Sequence, residues 1–92
     1  MSLHPPASFR LTVMTSKLML ADTDVEEATL PTIDGLIGIL PGHRPLVTAL
    51  GNGTLSYKTG LSSESFEVSG GYAEILPERV LVFTEPMEGE EP

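Results

Sequence analysis

A chain of 92 residues makes one domain, with room for a modest core and none for a deep cleft between domains. Its formal charge is −8, from 5 Lys and Arg against 13 Asp and Glu, so it lacks the clustered cations that release counterions from nucleic acid or hold an anionic lipid surface. Zero Cys removes disulfides, thiolate chemistry and cysteine zinc sites, and a small fold without such staples leans on packing or on a partner.

In chain order, residues 1–8 read as an N-terminal arm. Its start lacks the basic region and apolar run of a secretory signal, so a cytosolic location is expected. Phe9, Leu11 and Val13 then alternate with Arg10, Thr12 and Met14, the period-two pattern of a half-buried strand. The next stretch is ambiguous. Leu18, Ala21, Val25 and Ala28 sit at helical spacing over Lys17 to Thr29, while the β-branched Thr23, Val25 and Thr29 favour extended structure.

From Pro31 onward Gly and Pro recur every few residues, which leaves room for short strands and turns but not for ordinary helices. Asp34-Gly35 is a hairpin dipeptide and predicts a type I′ turn. Leu36 to Leu40 is the longest apolar stretch, far below the ~20 residues of a spanning helix. Asn52-Gly53 and Pro77-Glu78 are weaker turn signals. Leu55 and Tyr57 mark one strand by alternation, and Phe66 and Val68 another. Ser69-Gly70-Gly71 predicts a strand end followed by a bulge or corner. Val80-Leu81-Val82-Phe83 is apolar on both phases and predicts a strand buried on both faces. Glu85 to Pro92, with four Glu and two Pro, reads as an acidic tail or linker. The expectation is an all-β sandwich or flattened barrel of about eight to ten short strands over residues 9–85.

Little catalytic chemistry is available. Of two His, His4 lies near the chain end, and His43 follows Pro41-Gly42 in a turn with no neighbouring carboxylate to orient its ring. The bland reading of His43 is a solvated turn residue; the functional one is an interface contact. No Gly-x-Ser-x-Gly elbow or phosphate loop is present, and Gly51-Asn52-Gly53-Thr54 lacks the lysine. Asp22, Asp24, Glu26 and Glu27 read as a solvated charged face, not as a calcium loop. No catalytic residue, metal site or cofactor is expected.

Three signals remain: Glu26-Glu27-Ala28-Thr29-Leu30-Pro31; Gly35-Leu36-Ile37-Gly38-Ile39-Leu40-Pro41-Gly42-His43-Arg44-Pro45-Leu46-Val47-Thr48-Ala49-Leu50; and Val68-Ser69-Gly70-Gly71-Tyr72-Ala73-Glu74-Ile75. Together, behind the opening Phe-Arg-Leu-Thr-Val strand, they resemble the N-terminal domain of the epsilon subunit of the rotary F-type ATP synthase, over about Phe9 to Glu85. The resemblance implies a β-sandwich of about ten strands and resolves Lys17 to Thr29 as strands. It implies a non-catalytic central-stalk subunit, peripheral to the membrane on its cytoplasmic side, that touches the gamma subunit and the c-ring and couples ion flow to ATP chemistry. By the same resemblance Gly35, Leu36, Ile37, Gly38, Pro41 and Gly42 belong to a loop facing the c-ring, with Gly38 and Gly42 allowing tight turns and Pro41 and Pro45 stiffening it. Thr15, His43 and Thr48 match positions facing gamma, a surface through which the isolated chain can also self-associate.

Many relatives carry an acid where this chain has Leu36, so an apolar contact is expected there instead of a salt bridge. Relatives usually continue into a C-terminal pair of helices that restrain hydrolysis and in some bacteria bind ATP. The sequence given ends at Pro92, so it is expected to couple rotation without that form of inhibition. The alternative function is a small acidic β-sandwich module binding a peptide or carbohydrate. That alternative needs an aromatic platform, whereas Phe9, Tyr57, Phe66, Tyr72 and Phe83 mostly fall on the apolar phase of their strands and are expected in the core.

Overall fold

The computed structural model describes residues 7–85. The expected N-terminal arm, apart from Ala7 and Ser8, and the expected tail over 86–92 lie outside those residues. The chain runs β1 (Phe9–Met14), β2 (Met19–Val25), β3 (Glu27–Thr32), β4 (Gly35–Ile39), β5 (Leu46–Ala49), β6 (Asn52–Thr59), β7 (Ser62–Leu76) and β8 (Arg79–Glu85). No helix occurs among the described residues. The Lys17 to Thr29 stretch is two strands: its β-branched residues and tertiary pairing override a helical spacing that fixed no helix.

One sheet holds every strand, in the order β2-β1-β8-β7-β6-β3-β4, with β5 also paired to β7. It folds into two layers because β7 serves both. Residues 62–69 of β7 pair with β6, and residues 72–76 pair with β5 and β8. The first layer is therefore β2-β1-β8-β7-β5, and the second is β7-β6-β3-β4. The count among the described residues is eight strands because the Ser69-Gly70-Gly71 segment bends one long strand instead of ending it.

The bend has a specific chemistry. The register slips between Ser69 and Tyr72, and Gly70 and Gly71 take φ of 67° and 105°. A Cβ on Gly71 would stand 1.9 Å from the Phe83 carbonyl oxygen, so no side chain fits. The buried Thr84 hydroxyl clips the bulge. It donates to the Gly70 carbonyl at 2.7 Å and accepts from the Ser69 amide at 3.1 Å.

The core lies between the layers. Leu11, Val13, Val80, Val82 and Ile75 meet Leu30, Ile39, Leu55 and Val68, with Phe9 at one end. Each such side chain contributes roughly 1.5–3 kcal/mol by leaving water. Phe66 and Tyr57 pack at the margin of this cluster. Among the described residues no buried side-chain polar atom lacks a hydrogen-bond partner.

Two turn expectations are corrected and a third holds. The β3–β4 hairpin exists, but its loop is Ile33-Asp34, with Thr32 opposite Gly35. Among the described residues only glycines have positive φ, Gly35 at 114°, so the turn is not type I′. Thr32 sets it instead: its hydroxyl accepts from the Asp34 amide at 3.1 Å and donates to the Gly35 carbonyl at 2.6 Å. Asn52-Gly53 is no turn, since both residues belong to β6 and Gly53 lies tight against Pro31. Pro77-Glu78 does close the β7–β8 hairpin.

Candidate docking surface

The residues expected to face the c-ring are divided between two kinds of backbone. Gly35, Leu36, Ile37 and Gly38 belong to strand β4, while Pro41 and Gly42 lie in the connection to β5. The segment is thus an edge strand followed by a short loop, because Ala28 to Thr32 of β3 supplies a pairing partner on one side. Gly38 sits in strand backbone and forms no turn; Gly42, at φ 87°, does. The loop is anchored where the Gly42 amide donates to the Pro77 carbonyl at 2.8 Å, and the His43 amide closes it onto the Leu40 carbonyl at 3.2 Å. Leu36 is 69 % exposed, and Leu40 and Ile33 are exposed as well. No carboxylate occurs from Gly35 to Gly42.

The residues expected to face gamma are not clustered. His43 is half-buried beside the Pro77 turn, with Nδ1 at 2.7 Å from the Arg44 carbonyl oxygen. Thr48, on β5, is half-buried opposite Ala73. Thr15 is only 7 % exposed, and its hydroxyl accepts from the amides of Lys17 and Leu18, each at 3.0 Å. That hydroxyl shapes the β1–β2 turn and offers a partner little surface.

Between Thr15 and Thr48 lies a feature that the sequence reading missed. Across the outer face of the first layer, the register sets Met19, Met14, Phe83, Tyr72 and Ala49 side by side on five strands. Tyr72 and Phe83 stack with ring centroids 5.9 Å apart and planes 8° from parallel. Tyr72 is 48 % exposed, Met19 is exposed, and Met14 and Phe83 are half-buried. The exposed Ile33 extends the row, its amide bonded to the Ala49 carbonyl at 3.2 Å. The expectation that β8 is buried on both faces is therefore corrected. Val80 and Val82 are buried, but Leu81 and Phe83 face outward because, among the described residues, no third layer covers β8. Likewise Phe9 is buried and Tyr57 and Phe66 line the core, while Tyr72 and Phe83 do not. A usable signal was present: a strand apolar on both phases, placed in a two-layer fold, must show one phase to the outside.

Charged groups frame this face toward its other end. Arg10 Nε lies 3.0 Å from Asp22 Oδ1, and Arg10 Nη1 lies 3.4 Å from Asp24 Oδ1 across the β1–β2 ladder. The Thr12 hydroxyl donates to the same Asp22 oxygen at 3.0 Å. The hydrogen bond from Arg10, and then that from Thr12, hold the Asp22 carboxyl below the ordinary carboxylate range. Arg79 stands opposite Arg10 on β8. The surface depressions here, lined by Leu76, Pro77, Glu78 and Arg79 and by Thr12, Glu74 and Leu81, are open to solvent. Among the described residues no three His, Asp or Glu side chains converge on one point.

Comparison with known proteins bears on this surface. Residues 8–90 match the family model described as the ATP synthase Delta/Epsilon chain β-sandwich domain. The ATP synthase epsilon chain of Chloroflexus aggregans is 38 % identical over 78 residues, 85 % of this chain and 56 % of that one. That of Solibacter usitatus is 37 % identical over 83 residues, 90 % of this chain and 62 % of that one. The chain thus spans about three-fifths of the length of these curated relatives. Among solved structures, a chain of the Euglena gracilis mitochondrial ATP synthase OSCP/F1/c-ring assembly superposes with a TM-score of 0.83 at 27 % identity, covering 90 % of this chain and 54 % of that one. A chain of the Tetrahymena thermophila mitochondrial ATP synthase central stalk and c-ring gives 0.70 at 16 % identity, covering 90 % and 73 %, a likeness of fold alone.

Proposed function

The chain belongs to the ATP synthase delta/epsilon β-sandwich family, and from that membership we propose that it is a non-catalytic subunit of the central stalk, seated against gamma and the c-ring on the cytoplasmic side of the membrane, where it couples ion translocation to ATP synthesis and hydrolysis. One observation carries this reading: large apolar side chains are exposed on the β4 edge and across the outer face of the first layer, in a small acidic domain that must otherwise stay soluble. Exposed apolar area of that kind is retained where a partner covers it.

In this reading the β4 edge and the Pro41-Gly42 loop meet the ring through Leu36 and Leu40, by apolar contact. His43 lies toward gamma, and the Met19–Ala49 row forms the apolar centre of that contact; Thr48, on the opposite phase of β5 from Ala49, lies at the margin of that contact. Thr15 acts through the shape of the β1–β2 turn. The domain transmits force because its two layers share one hydrogen-bonded sheet, so that strain on one face reaches the other through backbone and not through a flexible joint.

The test is co-purification of the 92-residue chain with isolated gamma and with c-ring, and an ATPase assay of the chain alone. Capture by at least one partner without ATPase activity is expected. Recovery of neither partner overturns the stalk reading. Leu36→Glu and His43→Glu are expected to weaken capture at least about tenfold with little change in melting temperature; a collapse in melting temperature would make those side chains structural.

A further inference from the structure

We propose that the free edge of β4 binds a second copy of this chain, β4 against β4, antiparallel about a two-fold axis at Ile37. Among the described residues β4 ends the strand order, paired to β3 alone, and so presents backbone groups along its other side that no described strand pairs. Pro31, which lacks an N–H, stands opposite Leu36. That suits Leu36 to a pair without ladder hydrogen bonds, and the alternation of an antiparallel ladder then turns the N–H and C=O of Leu36 and Gly38 toward the free side.

A two-fold pairing about Ile37 sets Leu36 of one copy opposite Gly38 of the other, and the reverse, as self-complementary interfaces require. Leu36 is 69 % exposed, and a Cβ built on Gly38 meets nothing within 4 Å. Each Leu36 side chain therefore meets a bare glycine backbone in the other copy, with no side chain to clash with. Gly35 stands opposite Ile39 in the same register, so every large side chain there faces a glycine or the axis.

Electrostatics select this edge over the others. Two copies of charge −8 repel, yet β4 carries no charged residue. In the proposed register the two Asp34 are six residues apart along the strands, about 20 Å, beyond the ~8 Å screening length at physiological salt. The β2 edge would bring Asp22 and Asp24 of two copies together. The β5 edge is partly used, since the Ala49 carbonyl accepts from Ile33 and Leu50 bridges Thr32. The inference stands on the edge itself and not on the stalk reading. If both hold, the dimer hides the edge that docks on the ring, and assembly and self-association exclude each other.

The experiment uses single cysteines in a chain that has none. Under mild oxidation Ile37→Cys is expected to form a disulfide dimer. Leu36→Cys and Gly38→Cys, each alone, are expected to give little, and their mixture to give the heterodimer. Sedimentation of the unmodified chain is expected to show a mass rising toward the dimer's with concentration, and Leu36→Lys to raise the dissociation constant at least about tenfold. A chain monomeric to about 1 mM, dimerisation unchanged by Leu36→Lys, or equal cross-linking through Val47→Cys on the outer face of β5 overturns the proposal. If Ile37→Cys impairs folding, the Leu36 and Gly38 mixture reads the same register.

Discussion

The two outward faces of this sandwich are built to opposite rules. On the first layer, Met19, Met14, Phe83, Tyr72 and Ala49 line up across five strands. On the second, the corresponding row is Gly38, Thr29, Ser56 and Ser65, beside it run Glu27, Lys58 and Ser63, and Leu36 stands exposed at the β4 edge. Both faces cover the same core, so folding alone would be served by two polar faces. The difference therefore reports on what lies outside the molecule. A polar face is finished when the chain folds; an apolar one is finished only when something covers it.

The boundary between the two layers is the first place to break this comparison, and the effect there is the largest. Gly71→Val drives a side chain into the Phe83 carbonyl at a residue with φ of 105°. It is expected to remove at least about 3 kcal/mol, enough to unfold a small domain, as read by thermal melting. A variant that melts normally would mean that β7 does not carry the chain between layers at a sterically closed bulge.

The faces themselves come next. Tyr72→Ser with Phe83→Ser is expected to change stability by no more than about 2 kcal/mol while reducing capture of gamma at least tenfold. Ser56→Lys with Ser65→Glu is expected to leave both within measurement, about 0.5 kcal/mol. Equal effects of the two pairs on capture would erase the proposed distinction between the faces.

The smallest effect sharpens the rim. Asp22 has its folded-state pKa lowered, so its stabilising contribution is complete above the ordinary value of 3.8 and is lost as pH falls through the lowered one. Because the group is exposed, Asp22→Asn is expected to lower the melting temperature by only about a degree at neutral pH. The gap from the parent chain should close in acid. A gap that widens in acid would carry the wrong sign.

Much of the architecture was legible because alternation has a direct physical cause. Phe9, Leu11 and Val13 are buried and Arg10 is not, since a pleated strand turns successive side chains to opposite faces. The same logic found β6 and β7, and the two adjacent glycines correctly marked the corner at residues 69–71. It failed where the answer depends on what lies beyond the strand. Val80 to Phe83 has the composition of a strand buried twice, and only the packing of the described residues in two layers turns Leu81 and Phe83 outward. Gly35 to Gly42 has the Gly and Pro content of a loop, and only pairing to β3 makes its first half an edge strand. The apolar row was invisible for a related reason: its five members come from β1, β2, β5, β7 and β8, and register alone makes them neighbours.

The sequence by itself determined that this protein is a small acidic all-β domain, with corners where glycines permit them, and its motifs tied it to one family. Those properties are local, written in period, turn chemistry and short segments. Tertiary structure alone decided that one face is apolar and the other polar up to its β4 edge, that β4 pairs with one strand among the described residues, and that Thr15 spends its hydroxyl on a turn. Those are properties of strands meeting, and the free energy of a surface depends on which side chains the fold gathers there, however far apart they stand in the chain.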